Sequence, residues 1–353
     1  MILITGGAGY IGSHSAIDFI KQGYDVVILD NLSTGHNEII ERIRNFSLKE
    51  EVKGTLVDFI NADIKDTYAL NVLFNTYKID CVVHFAANSL VNESVANPRK
   101  YYDNNVAGSI NLLNAMVENN VKKIVFSSTC ATYGEPDYIP IDEKHPQKPV
   151  NPYGNTKLAI EFAIKDYAKA YGLKYTIFRY FNVIGADFDG ISGEWHNIET
   201  HLVPNILKAN ENKVFKLFGE NYETKDGTCV RDYIDVCDLA RAHTLAFEYL
   251  KENTSTIINL GTGDGQSVKE IFEAVEKTLN RKIPIKKYGR REGDPAKLIA
   301  NTALAKDIIG WEAKTPLDIS IKNANEWEKT LKSLNAPNIK QKTGENFSKE
   351  AIL

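Results

Sequence analysis

Short apolar runs alternate with longer stretches of helical periodicity through the first half of the chain. Ile2-Leu3-Ile4, Asp25 to Leu29, Cys81 to Phe85, Lys123 to Ser127 and Tyr175 to Arg179 read as strands buried on both faces. Strand-helix alternation of this kind predicts an α/β fold built on a doubly wound parallel sheet. After Asn182 the pattern loosens into a polar loop containing Gly185, Gly190 and Gly193, followed by a helix from about Leu202 to Ala209. A second, smaller α/β lobe begins there. The helical period from Asp235 to Leu250 and the run Ile257-Ile258-Asn259-Leu260 before Gly261 predict a return to the first sheet. The expected division is 1–181 with a return at about 235–262, a lobe from 182–234 and 263–335, and a polar tail over 336–353.

The first strand turns through Gly6-Gly7-Ala8-Gly9-Tyr10-Ile11-Gly12 directly into an amphipathic helix. That arrangement makes an anion site for a dinucleotide. Gly6 serves the tight turn, Gly9 removes a Cβ that would block a pyrophosphate, and Gly12 lets the helix lie close on the strand. The free N–H groups at the helix start then face the phosphates. The next strand ends at Asp30, about 20 residues beyond the glycines, where an acid reaches the adenosine ribose hydroxyls. Alone, Asp30 would be an ordinary strand-end acid. Its negative charge repels a 2′-phosphate, and Asn31, Leu32, Ser33 and Thr34 bring no Arg to receive one, which favours NAD over NADP.

Candidate chemistry lies further on. Pro152 suits the first turn of a helix carrying Tyr153-Gly154-Asn155-Thr156-Lys157, which puts phenol and ammonium one turn apart on one face. Of the 17 tyrosines this is the only one with Lys four residues later. Ser127-Ser128-Thr129 ends a strand, and open parallel sheets bind ligands outside the carboxyl ends of their strands. The glycine loop falls on that same edge. A phenol is a weak base near neutrality, but a nearby ammonium and an oxidised nicotinamide favour the phenolate, which is then a usable general base. Thr129 can hydrogen-bond the reacting oxygen as an alcohol becomes a ketone.

Bulk properties narrow the partners. A chain of 353 residues with net charge −4 and pI near 6.0 carries no electrostatic footprint for nucleic acid or an anionic membrane. Cys81, Cys130, Cys229 and Cys237 have no C-x-x-C spacing, and Cys81 and Cys130 read as small core residues, which fits a reduced cytoplasmic setting. No apolar run suggests export or a membrane span. The seven histidines form neither H-E-x-x-H nor another grouping with ligand spacing, so no metal is expected.

These residues resemble the extended short-chain dehydrogenase/reductase family, and within it most closely the UDP-glucose 4-epimerases. The glycine run and Tyr153-x-x-x-Lys157 mark the superfamily. Supporting stretches are Asp30-Asn31-Leu32, His84 to Ala87, Tyr101 to Asn105 and Arg179 to Asn182. Asp226 to Tyr233 and Arg290 to Asp294 point more narrowly to nucleotide-sugar enzymes.

The resemblance implies a Rossmann-like fold, a homodimer through helices near 99–117 and 152–171, and NAD as a tightly held cofactor. It also implies 4-epimerisation of UDP-galactose and UDP-glucose through a 4-keto intermediate by reversible hydride transfer. Thr129, Tyr153 and Lys157 would be catalytic, Thr129 standing where many epimerases have Ser. NAD would contact Gly6, Gly7, Gly9, Tyr10, Ile11, Gly12, Asp30, Asn31, Asp63, Ile64, Phe85, Ala86, Asn104, Ser127, Tyr153, Lys157 and Tyr180. The UDP-hexose would contact Thr129, Tyr153, Asn182, His201, Leu202, Phe218, Arg231, Tyr233, Arg291, Asp294 and Leu298. Arg231 and Arg291 offer forked donors that suit a diphosphate, which would stay clamped while the hexose turns.

Other readings differ in testable residues. A dehydratase or decarboxylating relative would need an acid soon after Thr129, where this chain has Cys130-Ala131-Thr132. A non-catalytic dinucleotide sensor would have lost the Tyr153/Lys157 pair. Substrate breadth stays open, because Leu298 stands where a bulky Tyr closes the sugar pocket in enzymes restricted to UDP-glucose and UDP-galactose. Small residues there accompany N-acetylhexosamines, so a bifunctional or dedicated UDP-N-acetylglucosamine/UDP-N-acetylgalactosamine 4-epimerase is the alternative. His201 occupies a position that is often Asn.

Overall fold

A computed structural model describes residues 1–291 and 294–334. The expected polar tail, with Glu292 and Gly293 of the second nucleotide-sugar stretch, lies outside the described residues. In chain order the first elements are β1 (Ile2–Thr5), α1 (Tyr10–Lys21), β2 (Val26–Asp30), α2 (Asn37–Ser47), β3 (Leu56–Asn61), α3 (Thr67–Thr76) and β4 (Cys81–His84). Then come α4 (Val91–Ala96), α5 (Pro98–Tyr101), a π-helical turn (Tyr102–Ala107), α6 (Gly108–Glu118), β5 (Lys123–Ser127), α7 (Pro152–Tyr171), β6 (Lys174–Tyr180) and β7 (Asn182–Ile184). The remainder is α8 (Leu202–Leu207), β8 (Phe215–Phe218), β9 (Val230–Asp235), α9 (Val236–Glu252), β10 (Thr256–Leu260), β11 (Gly265–Ser267), α10 (Val268–Leu279), β12 (Ile285–Tyr288), β13 (Lys297–Leu298), α11 (Ala303–Ile309) and α12 (Leu317–Leu334).

The main sheet has seven parallel strands in the order β10-β6-β5-β4-β1-β2-β3. Chain direction switches sides between β1 and β4, which opens a crevice at the carboxyl ends of those strands. The apolar runs are continuous because both faces are covered. Ile2 and Ile4 pack with Val26, Ile28 and helices α1, α2 and α9, while Leu3 and Val27 pack on the other side with α3, α6 and α7. Helix α9 packs on α1, and β10 extends the sheet beside β6.

A second sheet orders β11-β9-β13, with β7 also paired to β9, and β8 pairs in parallel with β12. These strands share a separate core with α8, α10 and α12, centred on Ile184, Ile206, Leu217, Tyr233, Phe272 and Ile321. Register fixes one functional neighbour, because Leu298 on β13 stands opposite Arg231 on β9. Among the described residues no helix is long and apolar enough to cross a membrane.

Candidate active site

One continuous cleft of about 1260 Å³ runs from the carboxyl edge of the main sheet to the β8/β9/β13 side. It exceeds the few hundred to 1,000 Å³ typical of a single small ligand, so it has room for two. Gly6 has φ +75°, and a Cβ there would stand 2.7 Å from Ala86 N, so glycine lets the β1–α1 turn meet the strand-end loop after β4. At Gly12 a Cβ would collide with the Gly6 carbonyl oxygen. Gly9 differs, since a Cβ there meets only Gly6 O at 3.4 Å and otherwise faces the cleft. The chain itself therefore gives little reason for glycine at position 9, and an approaching ligand gives one.

Tyr10, Ile11, Asp30, Asn31, Ile64, Phe85, Ala86, Asn104, Ser127 and Tyr180 line the same end of the cleft. Asp30 Oδ2 accepts from Ala8 N at 3.0 Å and Oδ1 from Leu32 N at 2.8 Å, which leaves lone pairs on both oxygens for further donors. Two expected contacts do not line it. Gly7 is buried, and a Cβ there would press on Ile28, while Asp63 accepts from Asn31 Nδ2 at 2.9 Å. Asn104 reaches the cleft from the π-helical turn, whose neighbour Asn105 bonds Asn88 and Thr156. A single inserted residue of this kind often re-aims side chains at functional sites.

The Tyr153 helix starts as expected. Asn151 caps it, its side chain accepting from Gly154 N at 2.9 Å, and Pro152 occupies the first turn. Gly154 lies against the Ala131 carbonyl so closely that a Cβ would come within 2.6 Å, which brings the helix onto the turn after Thr129. Lys157 Nζ donates to Ser127 O at 2.7 Å, and Ser127 Oγ pairs with the Tyr180 hydroxyl. Ser128 Oγ donates to Glu161 at 2.6 Å, and Glu161 receives Arg179 through both oxygens, at 3.0 and 2.6 Å. Helix α7 thus grips the end of β5 twice, through Lys157 and Glu161. Sequence reading missed the second grip, whose only signal was an acid four residues beyond Lys157.

Burial dominates the electrostatics of Tyr153 and Lys157. Burial raises the Tyr153 phenol to about 12, with the Thr129 hydroxyl pulling the other way. Burial likewise brings Lys157 down to about 7 against the Glu161 carboxylate. Among the chain's own groups desolvation dominates, so the phenolate expected beside Lys157 also calls on the oxidised nicotinamide expected with it. Cys130, read as a core residue, is partly exposed in the turn after Thr129, where it packs on the cluster of Tyr133, Ile141 and Phe181 and also lines the cleft. Cys81 is fully buried, as expected.

The far end of the cleft is lined by Asn182, His201, Leu202, Phe218, Arg231, Tyr233, Arg291, Asp294 and Leu298. Arg231 pairs with Asp294 and donates to Val230 O at 2.7 Å, while the Arg291 guanidinium lies 4.2 Å from the Phe218 ring centre. Leu298 packs on Tyr133, Ile141 and Phe181 while also lining the cleft. Lys213 and Lys216 line this end too, and no motif announced them. His201 turns its Nδ1 to Glu194, within a cluster completed by His196 and Glu199. The absence of any histidine grouping, expected from spacing, is thereby corrected.

The pattern of the NAD dependent epimerase/dehydratase family matches residues 2–261. The chain belongs to that family. It is 49% identical over 334 residues to the UDP-glucose 4-epimerase of Halalkalibacterium halodurans, covering 93% of this chain and 95% of the relative. The structure of UDP-glucose 4-epimerase from Brucella ovis in complex with NAD superposes with a TM-score of 0.84 at 45% identity, over 92% of this chain and 97% of that one. The UDP-Glc/GlcNAc 4-epimerase of Campylobacter jejuni has a TM-score of 0.80 at 41% identity, over 93% and 99%. As a member of the family, the chain has a β1–α1 loop and Asp30 that fit a dinucleotide, with open space at Gly9 and unfilled acceptor capacity at Asp30.

Proposed function

We infer that the chain is an isomerase, an NAD-dependent 4-epimerase of UDP-galactose and UDP-glucose. The observation that carries this reading is a single cleft joining Tyr153, Lys157 and Thr129 at its sheet end to Arg231 and Arg291 at the other. When bound, NAD supplies the reversible removal of hydride from C4 of the hexose. Tyr153 takes the proton of the C4 hydroxyl, Thr129 holds that oxygen, and Lys157 orients the cofactor ribose and the phenol. Arg231 and Arg291 hold the diphosphate through charge-assisted hydrogen bonds while the sugar turns. Incubating the purified protein with UDP-galactose, without added NAD, and separating the product sugars tests this. UDP-glucose is the expected product, and unchanged substrate from protein shown to contain NAD refutes it.

A second reading rests on Leu298, which leaves the sugar pocket less closed than Tyr would. Turnover of UDP-N-acetylgalactosamine is expected beside UDP-galactose, and a kcat/KM preference above about a thousandfold for the latter rejects it. Cys130-Ala131-Thr132 follow Thr129 with no carboxylate among them, which argues against a dehydratase. The pair of Tyr153 and Lys157 argues against a mere sensor. Tyr102 and Phe162 are about half exposed on segments that pack together, 45% and 55%, which supports a homodimer through this face. Light scattering on a sizing column checks it. Four free cysteines support a reducing, cytoplasmic setting.

A further inference from the structure

We propose that Glu194, His196, Glu199 and His201 form a zinc site at the nucleotide-sugar end of the cleft. Their ligand atoms all lie within 4.8 Å of one another. His196 Nδ1 is 3.2 Å from Glu194 Oε1 and 3.8 Å from Glu199 Oε1, and His201 Nδ1 is 4.0 Å from Glu199 Oε1. A tetrahedral zinc with bonds of about 2.0–2.1 Å separates its ligand atoms by about 3.3 Å, so these edges need only small side-chain rotations. A fourth edge is a hydrogen bond from His201 to Glu194, which opens when metal replaces the proton.

Charge balance favours the exchange. The two carboxylates are nearly buried, with side chains 5% and 6% exposed, and both imidazole nitrogens converge on one oxygen of Glu194. Lys208 Nζ lies 3.4 Å from Glu199 Oε2 and is matched by Glu328 at 2.9 Å, so the two buried carboxylates of the cluster still require two positive charges. Two imidazolium protons supply them, or one Zn²⁺ with both imidazoles neutral, so the cluster stays neutral either way. Imidazole and carboxylate together suit zinc rather than magnesium or calcium, which prefer all-oxygen sites.

The ligands are held from behind. Trp327 Nε1 donates to Glu194 O at 3.0 Å, and Trp195 stacks on His36 at 3.8 Å while its carbonyl faces His36 Nε2 at 3.1 Å. The pairs Glu194/His196 and Glu199/His201 each sit two residues apart in non-helical backbone, which turns both members of a pair to one side. Bound zinc would tie the 194–201 loop to the start of α8, beside cleft residues Leu202 and Asn205.

The test uses tag-free full-length protein, stripped with a chelator and titrated with Zn²⁺ alone against a chromophoric competitor. One zinc per chain with a Kd below about 1 μM is expected. His196→Gln and Glu199→Gln should each weaken it by at least about 100-fold, since even outer-shell losses cost 10–100-fold. X-ray absorption on the wild type should show only nitrogen and oxygen neighbours at about 2.0–2.1 Å. That measurement stands even where a variant misfolds. A sulfur shell near about 2.3 Å would assign the metal to cysteine, and wild-type binding weaker than about 100 μM would leave a hydrogen-bonded cluster only. Equal affinity in wild type and both folded variants also overturns the assignment.

Discussion

Gly9→Ala and Gly12→Ala separate a glycine kept for a ligand from one kept for the fold. At Gly9 the backbone is at φ −85° and ψ 175°, extended geometry that alanine adopts, and the new methyl meets only Gly6 O at 3.4 Å. Alanine is a poorer residue than glycine at a helix start by up to about 1 kcal/mol, but it stiffens the unfolded chain by about 0.4–1 kcal/mol. The cofactor-stripped variant should therefore match the wild type within about 1 kcal/mol, or about 2 °C in Tm for a chain of this size. Binding should behave differently. A methyl on the cleft floor displaces the anion from the helix-start N–H groups, and each charge-assisted hydrogen bond lost is worth about 1.5–3 kcal/mol, at least tenfold in NAD affinity. At Gly12 the methyl collides with the Gly6 carbonyl oxygen and lies 3.0 Å from Gly7 Cα, so overpacking of about 1–3 kcal/mol should lower stability and NAD content together. The assays are differential scanning fluorimetry of stripped protein and the NAD released per chain on denaturation. A Gly9→Ala protein that purifies with full NAD, or that loses as much stability as Gly12→Ala, refutes the reasoning.

Tyr153→Phe should lower kcat by about 10²–10⁴ without changing bound NAD, whereas Thr129→Ser, which keeps the hydroxyl, should stay within about tenfold of wild type, both read from product ratios with UDP-galactose. Arg231→Met should raise KM for UDP-galactose about 10- to 100-fold with kcat nearly unchanged, and a loss confined to kcat would contradict a binding role. Lys157 has a folded pKa near 7, below its unfolded value, so between about pH 7 and 10.5 the unfolded chain holds the extra proton. Stability of stripped wild type should then rise with pH across that window relative to Lys157→Met, on the order of 5 kcal/mol in urea melts, and parallel curves would mean that the folded lysine keeps its ordinary pKa. Leu298→Tyr should suppress turnover of UDP-N-acetylgalactosamine more than that of UDP-galactose, and an equal loss of both would place Leu298 outside sugar selection.

What could be read from the chain was whatever local pattern determines. Continuous apolar runs identified the strands because burial on both faces removes polar alternation, and β5 was bounded to the residue as Lys123–Ser127. Pro152 announced the helix that presents Tyr153, since first-turn chemistry is local. Contacts made by distant segments carried no such mark. Asp63 and Gly7 belong to the cofactor motif by position, yet one is hydrogen-bonded to Asn31 and the other is packed on Ile28. Glu194 and His196 look like surface polar residues until Trp327 of α12 and His36 at the start of α2 hold the loop between them.

The protonation of Tyr153 shows the same limit in energetic form. Four-residue spacing correctly places a lysine on the tyrosine's helix face, but spacing carries no information on how deeply both are buried. Once buried, each group favours its neutral form, and transfer of a proton from phenol to amine runs uphill because about 12 lies above about 7. Glu161, held by Ser128 and Arg179, is the chain's own countercharge to Lys157, and it is the neighbour that raises the lysine against desolvation. Retaining the ammonium thus depends on an ion pair beneath the site as much as on the Tyr153/Lys157 spacing. Glu161→Gln should accordingly move the alkaline limb of kcat to lower pH, as the lysine then deprotonates sooner, while a profile unchanged from wild type would show that Glu161 serves only to anchor β5.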